Sequence, residues 1–215
     1  MAHRHGRTMW MLALACGYCF AITLLRVFIT GHEYYFFLNW NLFLALVPLG
    51  FAIAINRSPS VLLLLLLLPL WLVFYPNASY LITDFTHLKM RQNIPVVFDA
   101  VIILSFTIVG LTAGAVSLHL VQEKIKKLTS SFVAWVLVIV VLVLSSWGVY
   151  IGRFARWNSW EVFTAPQAIV MDMFGTVTNP ILYTRVSLAF VLLFSSFSIL
   201  GYLIFLSLIH THHSD

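Results

Sequence analysis

Charge is what this chain has least of. Asp, Glu, Lys and Arg make up 9% of its 215 residues, against about 25% in a soluble domain, and that shortage excludes an ordinary water-exposed globule. Cysteine is nearly absent too. Cys16 and Cys19 give neither a disulfide framework nor metal-finger spacing. One helical turn apart in apolar surroundings, they read as buried inert thiols rather than a redox pair. No glycine loop for nucleotide phosphates and no His-Glu-x-x-His zinc helix is present. The paired glutamates of membrane prenyl-protein proteases are missing as well. No internal repeat suggests an alternating-access transporter.

What the chain has is apolar length. Hydrophobic residues are 61% of it and the mean hydropathy is +0.98. The runs are Trp10–Ile29, Phe36–Ile55, Val61–Tyr75, Val96–Val121, Phe132–Gly152 and Val186–Ile209. Each is roughly 15 to 25 residues, the length that crosses a bilayer as a helix. The expected fold class is an all-α integral membrane protein with about six transmembrane helices, one polytopic domain over residues 1–215 with no soluble appendage. Arg4 and Arg7 before the first run suggest a signal peptide. The run continues to Ile29, beyond a signal's apolar region, so an uncleaved span is expected. The pI near 9.4 is explained by basic residues flanking spans and calls for no nucleic acid.

With six spans, the first, third and fifth connections share a side. They carry His32 and Glu33; then Asn77, Tyr80, Asp84, His87, Lys89 and Arg91; then Arg153, Arg156, Asn158, Glu161 and Asp172. The other connections hold little beyond Arg57 and the run Glu123, Lys124, Lys126, Lys127. Chemistry or recognition is therefore expected on that one face. The 12 Lys and Arg divide evenly between the two sides once Arg26 is assigned to the first loop. The short segments bearing Arg4, Arg7 and the lysine cluster, where the positive-inside bias acts most strongly, place the termini in the cytoplasm and the polar face outside.

The third run is short, roughly 22 Å at 1.5 Å per residue, with Pro69 placed to kink it and Pro76 to stop it. Residues 79–89 are amphipathic at helical spacing, with Leu81, Ile82, Phe85 and Leu88 on one face and Tyr80, Thr83, Asp84 and His87 on the other. This predicts a broken or re-entrant segment after the third helix, capped by Asn77, whose second piece lies near the outer surface. Asp84 and His87 would point the same way, a geometry suited to a carboxylate orienting an imidazole, or to two ligands of a metal. A third ligand would have to come from Asp99, Glu33 or Glu161. The plainer alternative is an interfacial helix with a solvated polar face. No cofactor is required, and a divalent metal is compatible.

Asp99 lies a few residues inside the fourth run and needs a partner; Arg153 or Arg156 is the expected one, as a structural ion pair. Residues 152–161 are the densest polar stretch. Continued as a helix, they would lay Arg153 over Trp157 and Arg156 over Trp160, although tryptophan at headgroup level is also ordinary anchoring. Functionally, the two guanidiniums would make a bidentate site for phosphate or carboxylate. Asn158 and Glu161 have capping spacing. An interfacial amphipathic helix is expected through Ile169, Val170, Met173 and Phe174, ended by Gly175. Asn39 and Asn41 would face the same layer. His119 lies toward the other end, and the tail residues His3, His5, His210, His212 and His213 are assigned no role.

The order Asn41-Leu-Phe-Leu-Ala, Tyr75-Pro-Asn-Ala-Ser-Tyr-Leu-Ile-Thr-Asp84 with His87-Leu, Phe98-Asp99, and Gly152-Arg-Phe-Ala-Arg-Trp-Asn-Ser-Trp160 resembles the bacterial DUF1361 membrane proteins. The likeness covers about Asn39 to Asp172. It implies a polytopic protein of the bacterial inner membrane and no particular activity.

Three functions fit these residues. The first is a site on the outer face for an anionic lipid headgroup or lipid-linked envelope precursor. Arg153 and Arg156 would hold the anion, Asn77, Tyr80 and Asn158 would add hydrogen bonds, and Asp84 and His87 would supply catalytic base or metal chemistry in an enzymatic version. The second is a non-catalytic accessory subunit docking a membrane protein partner, an envelope enzyme or transporter. The third, a small transporter, would need ionisable residues deeper in the bundle.

Overall fold

A computed structural model describes residues 2–89, 94–178 and 183–211; Arg91, His212 and His213 lie outside them. Every long apolar run is helical: α1 (Ala2–Thr30), α2 (Phe37–Arg57), α3 (Val61–Phe74), α5 (Val96–Leu128), α6 (Ser131–Tyr150) and α9 (Tyr183–Thr211). Between them lie α4 (Pro76–Tyr80), α7 (Glu161–Thr164) and α8 (Pro166–Thr178). Among the described residues, six helical stretches are long and apolar enough to cross a membrane, the third being Val61–His87 taken whole. The protein is a multi-pass membrane protein. Its outward surface suits lipid: Phe28 is 88% exposed and Phe132 77%, as expected where hydrocarbon replaces water outside the bundle.

At 33 residues α5 is the longest helix among the described residues and forms the axis of the bundle, with α1, α2, α4 and α6 packed around it. Association inside a membrane rests on close backbone approach and interhelical hydrogen bonds, and α5 supplies both. A Cβ on Gly114 would come within 2.7 Å of Ala78, and one on Gly110 within 2.9 Å of the Ala78 carbonyl. The two glycines, four apart, form the groove in which α4 sits. Gly148 of α6 closes the other side, where a Cβ would come within 2.6 Å of the Pro76 ring. Deeper in the core, Trp71 donates its indole N–H to Ser117 at 2.8 Å, and Ser117 donates to the Pro48 carbonyl at 3.0 Å. That chain of bonds ties α3, α5 and α2 together.

The expected break after the third run takes a different form. Pro69 lies within α3, and the backbone stays right-handed helical through Tyr75 and Leu81 to His87. Helix type changes instead. Pro76 has no N–H to give, and Ala78 bonds back to the Tyr75 carbonyl at 3.1 Å, a shortened step. The Phe74 carbonyl is satisfied by the Asn77 side chain at 2.9 Å. Asn77 therefore does not cap α4: no side chain caps this helix, because the preceding residue is already helical and its N–H groups face no gap.

From Leu81 to His87 the chain is a 3₁₀ helix of seven residues, long for a type usually confined to 3–4 residues. Threonines support it. Thr83 donates to the Tyr80 carbonyl at 2.7 Å, Thr86 to the Thr83 carbonyl at 2.9 Å, and Thr107 of α5 to the Leu81 carbonyl at 3.2 Å.

At the same end, α6 runs into a π-helical turn, Ile151–Ala155, and stops at Arg156, which is left-handed at φ 62°. A non-glycine residue pays roughly 1–2 kcal/mol for that conformation. It turns the chain back over α4, so the expected continuous helix through Trp160 does not form. Without it, the predicted stacking of Arg153 on Trp157 and Arg156 on Trp160 has no helical spacing to rest on. α8 forms as expected but runs past Gly175 to Thr178, since glycine permits a helix end without compelling one.

Candidate functional site

Polar residues of the third and fifth connections, Asp84, His87 and Arg153 among them, meet at one end of the bundle, where the His32 backbone of the first connection also lies. Two carboxylates are buried there, and each is approached by an arginine.

Asp99, in the first turn of α5, is 1% exposed, and so is Arg26 near the end of α1. Arg26 donates from Nε to Asp99 Oδ1 at 2.8 Å and from Nη2 to Oδ2 at 3.2 Å. Its Nη1 donates to the His32 carbonyl at 3.2 Å, and the guanidinium lies 4.6 Å from the centre of the Tyr35 ring. This is a planar bidentate pair whose Nη1 is also engaged, by the His32 carbonyl and the Thr30 hydroxyl. The expected partners Arg153 and Arg156 are not used. Arg26 and Asp99 sit a few residues inside the ends of their own apolar runs, so antiparallel packing of α1 and α5 brings them to one depth.

Asp84 is also 1% exposed but is held quite differently. The 3₁₀ helix turns it inward beneath α2, where Asn41 donates to Oδ2 at 2.9 Å. Its Oδ1 is buried and accepts no hydrogen bond; the nearest cation, Arg153 Nη1, stands 3.8 Å away. The same Nη1 lies 3.1 Å from His87 Nε2. Guanidinium only donates, so Nε2 is the acceptor and the imidazole proton is assigned to Nδ1. Asp84 and His87 do share a side, as their spacing implied, yet they are joined through Arg153. The His87 ring rests edge-on against Phe37 at 5.0 Å, and the Tyr35 hydroxyl donates to the His87 carbonyl at 3.3 Å.

This arrangement bears on metal chemistry. A permanently charged guanidinium contacts both would-be ligands at the position a shared cation would take. Among the described residues, no three His, Cys, Asp or Glu side chains assemble as a ligand set, and Glu33 is exposed.

Arg156 does not join the cluster. It is exposed at the left-handed turn, while the Arg153 side chain is 17% exposed. Asn158 and Glu161 engage each other: Glu161 Oε2 accepts from the Asn158 backbone at 2.6 Å and from its amide at 2.9 Å. The pair does not cap α7 as its spacing predicted: Trp160 is the residue before that helix and no side chain caps it, while Glu161 instead ties down the Asn158 turn. Trp157 donates to Asp172 at 2.6 Å, and Asn77 donates to Ser159 at 2.9 Å.

Beside this cluster lies a cavity of about 120 Å³ between α2, α4, the end of α6 and the following turn. Tyr80 and Asn77 line it, as do Asn41, Trp40 and Trp157. Asn41 thus borders the cavity and holds Asp84 at once. Its role, and those of Arg26 and Ser159, were not apparent from local sequence. The usable signal for Asn41 and Arg26 was depth, each being a polar residue near the end of an apolar run on the shared side; Ser159 lies in the polar stretch beyond Gly152 and carried no such signal.

No curated protein and no solved structure matches this chain. A family model described as a protein of unknown function, DUF1361, matches residues 40–207, a stretch that holds Asn41, Asp84, Asp99 and Arg153, and on that match the chain belongs to the DUF1361 family.

Proposed function

We propose that the polar end of the bundle binds an anionic lipid headgroup, or a lipid-linked envelope precursor, at the outer face of a bacterial cytoplasmic membrane, with both termini in the cytoplasm. The observation that carries this reading is Arg153. It is the partly exposed cation of the cluster, with one hydrogen bond, to His87, and a carboxylate held off at 3.8 Å. Arg26 by contrast is sealed by its own partners. A guanidinium has five N–H donors in a rigid fork, so Arg153 retains capacity for phosphate oxygens. Asp84 behind it keeps the charge in place, and Asn41 keeps Asp84 in place. Asp84 and His87 are the groups positioned for proton transfer, should the bound lipid also be converted.

The test is mass spectrometry of lipids retained by gently purified protein, with Arg153→Ala and Arg156→Ala compared separately with the wild type. The expected result is a specific anionic lipid held by wild type and Arg156→Ala and lost from Arg153→Ala. If all three retain only bulk membrane lipid, the anion site is refuted and the accessory-subunit reading takes its place. Conversion is judged from Asp84→Asn and His87→Gln: in an enzyme they keep binding and lose turnover, whereas in a docking protein partner binding is unchanged.

A further inference from the structure

We infer that the cavity beside Arg153 is a subsite for a small uncharged polyol, so that the lipid bound at this end carries a glycerol headgroup, as phosphatidylglycerol does. This deepens the anionic-lipid reading and rests on it.

Size comes first. The cavity, about 120 Å³ and partly open at its rim, has room for a small alcohol such as a three-carbon polyol. Chemistry comes second. Among the described residues no charged side chain lines the cavity, so an ammonium or carboxylate on the headgroup would enter without direct contact to a counter-charge, at a cost in desolvation. Hydroxyls would not. Both N–H groups of Asn77 are spent, on Phe74 and Ser159, and one of the two on Asn41 is spent on Asp84. Their amide oxygens remain as acceptors, and the hydroxyls of Tyr80 and Ser159 can donate and accept. Trp40, Tyr80 and Trp157 supply apolar walls for the carbon chain.

Gly152 lets the walls of the cavity come close: a Cβ there would lie 3.3 Å from the Tyr80 ring and 3.4 Å from the Trp157 carbonyl, and the ring would have to shift slightly. Finally, the subsite adjoins the anion group. Asn41 is shared between cavity and Asp84, Tyr80 lies on the same helical segment as Asp84, and Arg153 follows Gly152 directly. A phosphodiester on Arg153 would thus enter with its alcohol beside Tyr80, and the acyl chains would run down the apolar outside of the bundle.

The test uses the full-length protein in vesicles of phosphatidylcholine containing equal fractions of phosphatidylglycerol and phosphatidylserine, which match in net charge. Lipids kept after gentle extraction are counted by native mass spectrometry. Wild type is expected to retain phosphatidylglycerol about fivefold over phosphatidylserine. Tyr80→Phe/Ser159→Ala should equalise the two while keeping both above phosphatidylcholine, and Arg153→Ala should lose the anionic preference altogether. Equal retention of both anionic lipids by wild type overturns the polyol subsite and leaves the anion reading standing. A wild type with no anionic preference, or one that selects phosphatidylcholine, overturns both. A glycerol preference unmoved in Tyr80→Phe/Ser159→Ala, with the same thermal stability as wild type, places the selectivity elsewhere and overturns the subsite.

Discussion

Asp99 and Asp84 lie at the same end of one bundle and are equally buried, at 1% exposure each, yet they are held in opposite ways. Asp99 receives two bonds, at 2.8 and 3.2 Å, from one guanidinium whose Nη1 also bonds the His32 carbonyl. Asp84 receives one bond, from a neutral amide, and leaves Oδ1 without a hydrogen bond 3.8 Å from an arginine that is partly exposed. A saturated pair has nothing to offer a ligand. It locks α1 to α5 and fixes their relative depth. An unsaturated cluster costs more to keep and retains bonding capacity, which is the pattern of a site maintained for a ligand rather than for the fold.

That contrast can be broken by substitution. The largest effect is expected from Arg26→Ala, which strands the buried Asp99 carboxylate and should cost about 3–5 kcal/mol, seen as a steep fall in thermal stability in detergent. Replacing both partners by apolar residues of similar volume, Arg26→Met with Asp99→Leu, should recover most of it, since a buried pair is often no better than a packed apolar one. Next comes the seat of α4. Gly114→Val and Gly148→Val should each cost about 1–3 kcal/mol by overpacking and weaken lipid retention, because Asn77 and Tyr80 ride on α4.

Asp84→Asn should change stability by no more than about 1 kcal/mol while altering what Arg153 retains. If instead it proves as damaging as Arg26→Ala, Asp84 is a structural anchor and the contrast between the two carboxylates fails. The smallest effect is reserved for Arg156→Gly. Relief of the left-handed strain outweighs the added freedom of the unfolded chain by a few tenths of a kcal/mol, so it should leave stability and lipid binding near wild type. Unfolding followed by tryptophan fluorescence measures all of these on one scale.

Much of this was legible in advance, and the misses share a cause. Asp84, His87 and Arg153 were singled out from composition and spacing, because a polar residue at the end of a span is conspicuous wherever it comes to rest. Arg26 was conspicuous too but was assigned to a loop, and Asp99 was matched with the wrong arginine. Nothing in a linear chain says which helices are neighbours. The stacking expected of Arg153 and Arg156 on tryptophans assumed a helix that Arg156 ends at φ 62°, and a left-handed arginine carries no residue-type signal as a glycine would. Asn77 was expected to act as a cap because Pro76 appeared to break the chain; its amide instead bonds the Phe74 carbonyl within a continuous helical path.

By itself the sequence determined the number of spans and the parity that puts the polar connections on one side, because each follows from the transfer of local segments between water and hydrocarbon. The third helical stretch runs on to His87 and the fourth to Leu128, beyond the apolar runs that mark them. Only the tertiary structure decided that α5 is the axis, that Arg26 takes Asp99, and that Asn41 and Arg153 close on Asp84. Those outcomes depend on where Gly110, Gly114 and Gly148 let backbones approach, and close packing between helices is a property of surfaces that no single segment carries.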